Sequence, residues 1–276
     1  MEPWHAVREP RRAEAFRELW PELDWENATW NEDGWDFLVA ILSGGWVVRI
    51  PRTHGAAWRL QREMNLLRRL TETPVQLPAY RFIAPNLAAY PVLPGQPISA
   101  KHPADDRISR QLAGFLDWLH GERGLSPALG ADEAWRRKAR NVHRRIARDV
   151  LPLLTVKEGR RLACRFREFD ESLAQGNWRT VLLHGDLVAE HVLENQGSLA
   201  GILDFGDWRW GDEAFDYSGV LGLEAYAPLR LKADPGFLIR VRWYRLAAIG
   251  HQVRHALKSG DVESSEQRIR VLRREI

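Results

Sequence analysis

Three titratable residues stand at the ends of short apolar runs within Leu183–Val220, LHGDLVAEHVLENQGSLAGILDFGDWRWGDEAFDYSGV. Asp186 follows Val181–Leu183 and completes His184-Gly185-Asp186. His191 opens the next run, and Gly201-Ile202-Leu203-Asp204-Phe205-Gly206-Asp207 is an apolar strand ending in carboxylates. Hairpin pairing is expected to bring Asp186, His191 and Asp204 to one edge. A carboxylate that accepts a hydroxyl proton, a metal-binding carboxylate and a second ligand are what phosphoryl transfer from a Mg2+-nucleotide requires. The plainer reading is that HGD arises by chance and that a carboxylate at a strand end caps a turn. Both motifs in this order, followed by Gly211-Asp212 and Asp216, form a compound signal that neither carries alone.

The elements that must position these residues fall into two groups. Residues 7–20 have helical spacing. Trp35–Leu42 and Trp46–Ile50 read as strands joined at Ser43-Gly44-Gly45, a tight hairpin signal. Residues 55–70 form an amphipathic helix with Leu60, Met64, Leu67 and Leu70 on one face, and a strand at about 88–93 runs into Leu93-Pro94-Gly95. Helical periodicity then covers 105–121, 131–149 and 156–174. Short β runs follow at Val181–Leu183, His191–Leu193 and Leu199–Leu203, and helices resume over 212–229, 236–258 and 263–275. The expected class is α+β, with a small β-rich segment over 1–94 and a larger, mainly helical one over 95–276.

Composition bounds the rest. The chain has 276 residues, 45% hydrophobic and 28% charged, enough for a sizeable core without disulfides. The single Cys164 reads as a small filler in a helix and fits a reducing compartment. A net charge of +3 falls short of a nucleic-acid footprint. The charged N-terminus reads as no targeting segment, and Phe37–Leu42 is far too short to span a bilayer. The expectation is a cytoplasmic protein with no nucleic-acid or membrane partner.

The spelling HGDLVAEH, GILDFGD, GDE and FD resembles the aminoglycoside and macrolide phosphotransferase family of protein-kinase-like small-molecule kinases. The resemblance is specific at 183–216, looser over roughly 30–260, and implies a bilobal kinase-like fold with Mg2+ and ATP or GTP. It implies that Asp186 is the catalytic base or hydroxyl orienter and that Asp204 binds the metal. His191 stands where the family usually has Asn. It is similar to the branches acting on the 2″-hydroxyl of aminoglycosides and on macrolides, and either contacts the metal or braces the loop. Arg49, in VVRIPR, matches the strand cation that holds nucleotide phosphates, with Glu63 on the next helix as its partner. Gly34 lies where a phosphate-covering hairpin would be. Tyr90 and Val92 align with the hinge whose backbone meets the purine, and Pro91 there has no N–H. His184, Asp212 and Asp216 are assigned to supporting the catalytic loop. Asp207 is assigned to supporting the metal site or to the surface.

The implied function is an O-phosphotransferase acting on a hydroxyl of an aminoglycoside- or macrolide-like small molecule. The alternatives are a kinase of a non-antibiotic metabolite and a non-catalytic nucleotide-binding module. A protein kinase is disfavoured by HGD in place of HRD and by the absence of an APE segment. Residues 221–276 hold eleven Lys+Arg against six Asp+Glu, which argues against a polycationic acceptor. Thirteen tryptophans could stack on an apolar or sugar-bearing one, although most belong to the core.

Overall fold

The computed structural model describes residues 16–32, 34, 36–85, 87–100, 104–122, 124–175 and 177–276. Residues 7–15 of the first expected helix, and Trp35, lie outside them. The chain forms two compact units, one of residues up to Pro97 together with His191–Asp207, the other of Ile98–Glu190 with Trp208–Ile276.

The first unit is built on an antiparallel sheet of order β1-β2-β3-β5-β4. Its strands are β1 (Thr29–Asn31), β2 (Phe37–Leu42), β3 (Trp46–Pro51), β4 (Phe82–Ala84) and β5 (Leu87–Pro91). Side chains alternate across the sheet with a period of two. Leu38, Ala40, Leu42, Val48, Ile50, Leu87 and Ala89 face one way and pack with Phe16, Trp20, Leu23 and Trp25. Phe37 and Ala88 face the other way, against Ala56, Leu60 and Met64 of helix α1 (His54–Leu67). Burying Leu60 or Met64 contributes about 1.5–3 kcal/mol each over leaving it in water. Thr53 starts α1 by accepting the Ala56 N–H at 3.1 Å. Arg49 sits one residue from Val48 and Ile50, so the alternation that buries them turns Arg49 toward α1.

A second small sheet completes this unit: β6 (Gln96–Pro97), β8 (Val192–Asn195) and β9 (Ser198–Ile202), in the order β6-β8-β9. Gln76 ties β9 to the unit, donating to the Ala200 carbonyl at 3.2 Å and accepting from the Ile202 N–H at 3.1 Å. These bonds place the 191–207 hairpin with the first unit, although the sequence puts it far along the second segment. They deliver Asp204 just beyond the end of β9.

The second unit contains α2 (Asp106–His120), α3 (Ala131–Asp149), α4 (Val156–Gln175), the antiparallel pair β7 (Thr180–Leu183) and β10 (Arg209–Asp212), α5 (Pro228–Ala233), α6 (Phe237–Ser259) and α7 (Val262–Glu275). Asp105 caps α2 by accepting the Arg107 N–H. An aromatic cluster of His143, Phe166, Phe169, Trp243 and Tyr244 joins α3, α4 and α6.

Several sequence expectations change. The helix expected over 212–229 is broken into short turns at Glu213–Ser218 and Leu223–Tyr226 and then α5. Gly222 takes φ of 81° between them, and Pro228 restarts the chain. His191 closes a turn at Ala189–His191 and does not open the strand. β7 pairs with β10, not with the following β8. Cys164 is half-buried, with its thiol 3.5 Å from Glu168 Oε1, so it is not a simple apolar filler. No described helix is long and apolar enough to cross a membrane.

Candidate active site

The first unit gathers Arg49, Glu63, Tyr80 and Asp204 around one buried guanidinium. Arg49 is 5% exposed. Its Nη1 donates to Glu63 Oε2 at 2.6 Å and to the Tyr80 hydroxyl at 3.3 Å, and its Nη2 donates to Asp204 Oδ2 at 3.1 Å. The guanidinium carbon lies 4.0 Å from the centre of the Phe37 ring. Desolvation works against the Arg49 charge, but the carboxylates of Asp204 and Glu63 outweigh it and keep the group firmly protonated. Glu63 is fully buried. Burial pushes its carboxyl up to about 7, against the pull of Arg49 and of the Tyr80 hydrogen bond.

Asp204 has φ of 60°, a left-handed conformation that Asp tolerates better than most side chains. Its Oδ1 accepts the Gly206 N–H at 3.3 Å, and His191 Nε2 is 3.9 Å from its Oδ2. The side chain is 34% exposed, so the carboxylate is both anchored and reachable. Asp207 is half-buried. Burial pushes its carboxyl up, and the charges of Arg59 and Arg62 oppose the shift.

Gly34 is exposed, on the stretch leading into β2, and the neighbouring Asp36 pairs with Arg59. Tyr90 is buried, with its ring 5.2 Å from that of Tyr80. The Val92 N–H donates to the Gly45 carbonyl at 2.8 Å, so it already serves the hairpin turn.

The second unit holds the HGD loop. Asp186 is exposed at its tip. Gly185 takes φ of 86°, which a Cβ would resist, and this explains a glycine before the carboxylate. Asp216 clamps the loop from beneath, accepting the His184 N–H at 2.9 Å and the Gly185 N–H at 3.0 Å. His120 Nε2 is 3.0 Å from its Oδ2. His184 Nδ1 accepts the Asp186 N–H at 3.3 Å. On the other side Gly219 packs so closely that an added Cβ would lie 1.8 Å from the Leu187 carbonyl oxygen. Asp212 caps the 213–218 turn through the Ala214 N–H and is itself held by Arg240 and Tyr244.

Burial alone would raise the Asp216 carboxyl, but His120, His184 and the Gly185 amide together hold it below the usual range. A depressed carboxylate contributes stability that is complete above the unfolded pKa and lost as pH falls through the folded one. Asp216→Asn is therefore expected to lower stability by about 3 kcal/mol at neutral pH, read as a lower urea midpoint at unchanged m. The gap to wild type should narrow in acid; a gap constant down to the acid limb would contradict the clamp.

The structure thus brings Arg49, Glu63, Asp204 and His191 together in one unit and groups His184, Asp186, Asp212 and Asp216 in the other. Tyr80, Phe37, His120 and Arg240 carry no motif and escaped sequence reasoning. Only the burial of a charge reveals them.

The sequence is 29% identical over 213 residues, 70% of this chain and 69% of the other, to the protein YcbJ of Bacillus subtilis (strain 168). The fold is similar to the GDP and kanamycin complex of APH(2")-IIia, with a TM-score of 0.83 and 22% identity over 97% of this chain and 98% of that one. It is also similar to macrolide 2'-phosphotransferase MphH from Brachybacterium faecium, with a TM-score of 0.66 and 24% identity over 95% and 98% of the two chains. At these identities the likenesses establish the kinase-like α+β fold. Residues 27–249 match the phosphotransferase enzyme family, and with most of its length inside that match the chain belongs to this family.

Proposed function

We propose that the protein is an ATP- or GTP-dependent O-phosphotransferase that moves the γ-phosphoryl group to a hydroxyl of a small molecule. The observation that carries this reading is the buried Arg49 held between Glu63 and Asp204, residues 14 and 155 positions away in sequence. A guanidinium so fixed is suited to nucleotide phosphates. In the second unit, Asp186 orients the acceptor hydroxyl and takes its proton as the oxygen attacks phosphorus. Asp216 and His120 hold that carboxylate in place. A nucleotide donor fits a cytoplasmic setting.

The donor set also fits Mg2+ in a specific sense. No group of three or more His, Cys, Asp or Glu able to hold a metal occurs among the described residues. Asp204 offers one hard, partly exposed carboxylate with His191 beside it, which suits a cation that arrives with nucleotide phosphates and keeps several waters. When bound, the cation would neutralise phosphate charge as the bond to the leaving oxygen breaks.

The acceptor follows from charge. The segment 212–226 adjoins the Asp186 loop through Gly219. Each of its carboxylates is already engaged: Asp212 by Arg240, Glu213 by Arg179 and Arg230, Asp216 by His120, and Glu224 by Arg245. A polycation would have to displace these partners, at the cost of breaking buried pairs. The solved relatives bind kanamycin in one case and are macrolide phosphotransferases in another. For this chain a macrolide-like or other weakly charged hydroxyl compound is the expected acceptor.

The test is nucleoside diphosphate release from ATP and GTP with Mg2+, against aminoglycosides, macrolides and simple metabolite alcohols. Stimulation by a macrolide or alcohol well above that by kanamycin is expected. Kanamycin as the best acceptor would overturn the charge argument, and nucleotide binding without turnover on any acceptor would favour a non-catalytic module.

A further inference from the structure

We propose that Tyr80 is a positioning residue for nucleotide binding: its hydroxyl bridges Glu63 and Arg49 and thereby fixes the plane of the Arg49 guanidinium. The inference rests on the phosphate role of Arg49 argued above. The Tyr80 hydroxyl donates to Glu63 Oε1 at 3.1 Å and accepts from Arg49 Nη1 at 3.3 Å. Its one proton is committed to Glu63, so its lone pair is aimed at Arg49.

Glu63 uses its other oxygen for Arg49. Nη1 is therefore gripped from two sides, by a carboxylate and by a hydroxyl, in a fixed fork. The Phe37 ring lies along the guanidinium at 4.0 Å and limits tilting. With Nη1 fixed and one face covered, the freedom that remains is a swing of the rigid guanidinium plane about Nη1, and the bond from Nη2 to Asp204 limits it.

Tyr80 is itself held. Its ring meets Tyr90 edge-on at 5.2 Å. The chain just after it is pinned where the Arg81 N–H donates to the Ala89 carbonyl at 2.9 Å. Both anchors lie on the sheet that carries Arg49, so the hydroxyl and the guanidinium move as one body.

The same geometry makes Arg, not Lys, the residue this slot fits. A lysine ammonium is a single point and cannot hold Glu63, Tyr80 and Asp204 in one plane. Tyr80→Phe keeps the ring on Tyr90 and removes only the bridge, so the fold should survive while the guanidinium loses its fixed plane and nucleotide affinity falls.

The experiment is a double-mutant cycle of Tyr80→Phe and Arg49→Lys in the full chain. Dissociation constants are measured by titration with Mg2+-ATP and Mg2+-GTP, and thermal midpoints alongside. Tyr80→Phe should weaken nucleotide binding about tenfold, because the guanidinium loses the hydroxyl that accepts from Nη1. Its thermal midpoint should fall by only about 2–6 °C, from the partner that Glu63 Oε1 loses, with the chain still folded at the titration temperature. In the Arg49→Lys background the same change should have little further effect, because the fork it supports is gone. Tyr226→Phe, at a half-buried tyrosine of the other unit, should bind nucleotide as wild type does. Unchanged nucleotide affinity in Tyr80→Phe, or equal losses in both backgrounds, would overturn the positioning role. A wild-type chain that binds neither nucleotide would overturn the proposed function, and this inference with it.

Discussion

Asp186→Asn is expected to lower phosphoryl transfer by about two to four orders of magnitude while leaving nucleotide affinity within a few-fold of wild type. The split follows from where the residue stands. Arg49, Glu63, Tyr80 and Asp204, the groups proposed to serve the nucleotide, belong to the first unit, and Asp186 belongs to the second. The carboxamide keeps the shape of the side chain and its main-chain bond to His184 Nδ1, so the loop clamped by Asp216 should not move. What is lost is an anionic acceptor for the hydroxyl proton. If near-normal turnover persisted in Asp186→Asn, proton acceptance would belong to another group or to solvent, and the assignment would fall. If nucleotide binding collapsed along with turnover, the division of roles between the two units would be wrong instead.

The parts of this site that were legible in the sequence share one property: their backbone context is local. HGD and the Asp204 strand end are spelled by contiguous residues whose conformations follow from glycine, strand length and turn chemistry. Arg49 and Glu63 could be paired because a period of two on β3 and a helix immediately after it leave little choice of face. Tyr80 could not be found this way. It precedes the short strand β4 and reaches Arg49 only because β4 folds back on β5, a pairing set by tertiary packing. The 212–229 region failed for a related reason. Its periodicity looks helical, but the backbone is spent on close approach at Gly219 and on positive φ at Gly222. Buried polar pairs such as His120 with Asp216 join residues 96 positions apart and have no local signature. The residues proposed to do chemistry therefore have a local signature, and the residues that hold them still do not.

Arg240→Met should be the most damaging substitution outside the reacting groups. Arg240 is fully buried on α6. Its Nε donates to Asp212 Oδ2 at 2.6 Å, and its outer nitrogens engage Asp234. Tyr244 donates to the same Asp212 oxygen at 2.9 Å and accepts from Trp135 Nε1 at 2.8 Å. Methionine fills much of the volume but leaves two buried carboxylates without a counter-charge, at a cost of about 3–5 kcal/mol. The pH dependence has a definite sign. Burial pushes the Asp212 carboxyl up even with Arg240 beside it. A raised acid contributes most to stability below its unfolded pKa, and that contribution is lost as pH rises through the folded one. Removing Arg240 raises Asp212 further, so the deficit of the variant should be small in mild acid and grow toward neutral pH. Urea midpoints across that range measure it. A variant as stable as wild type at neutral pH, or a deficit independent of pH, would show that packing and not charge holds this part of the core. Activity should fail earlier than the fold. Asp212 caps the 213–218 turn that carries Asp216, and Asp216 holds the backbone on which Asp186 stands. Loosening Arg240 therefore reaches Asp186, the proposed proton acceptor, through two hydrogen-bonded steps without touching it.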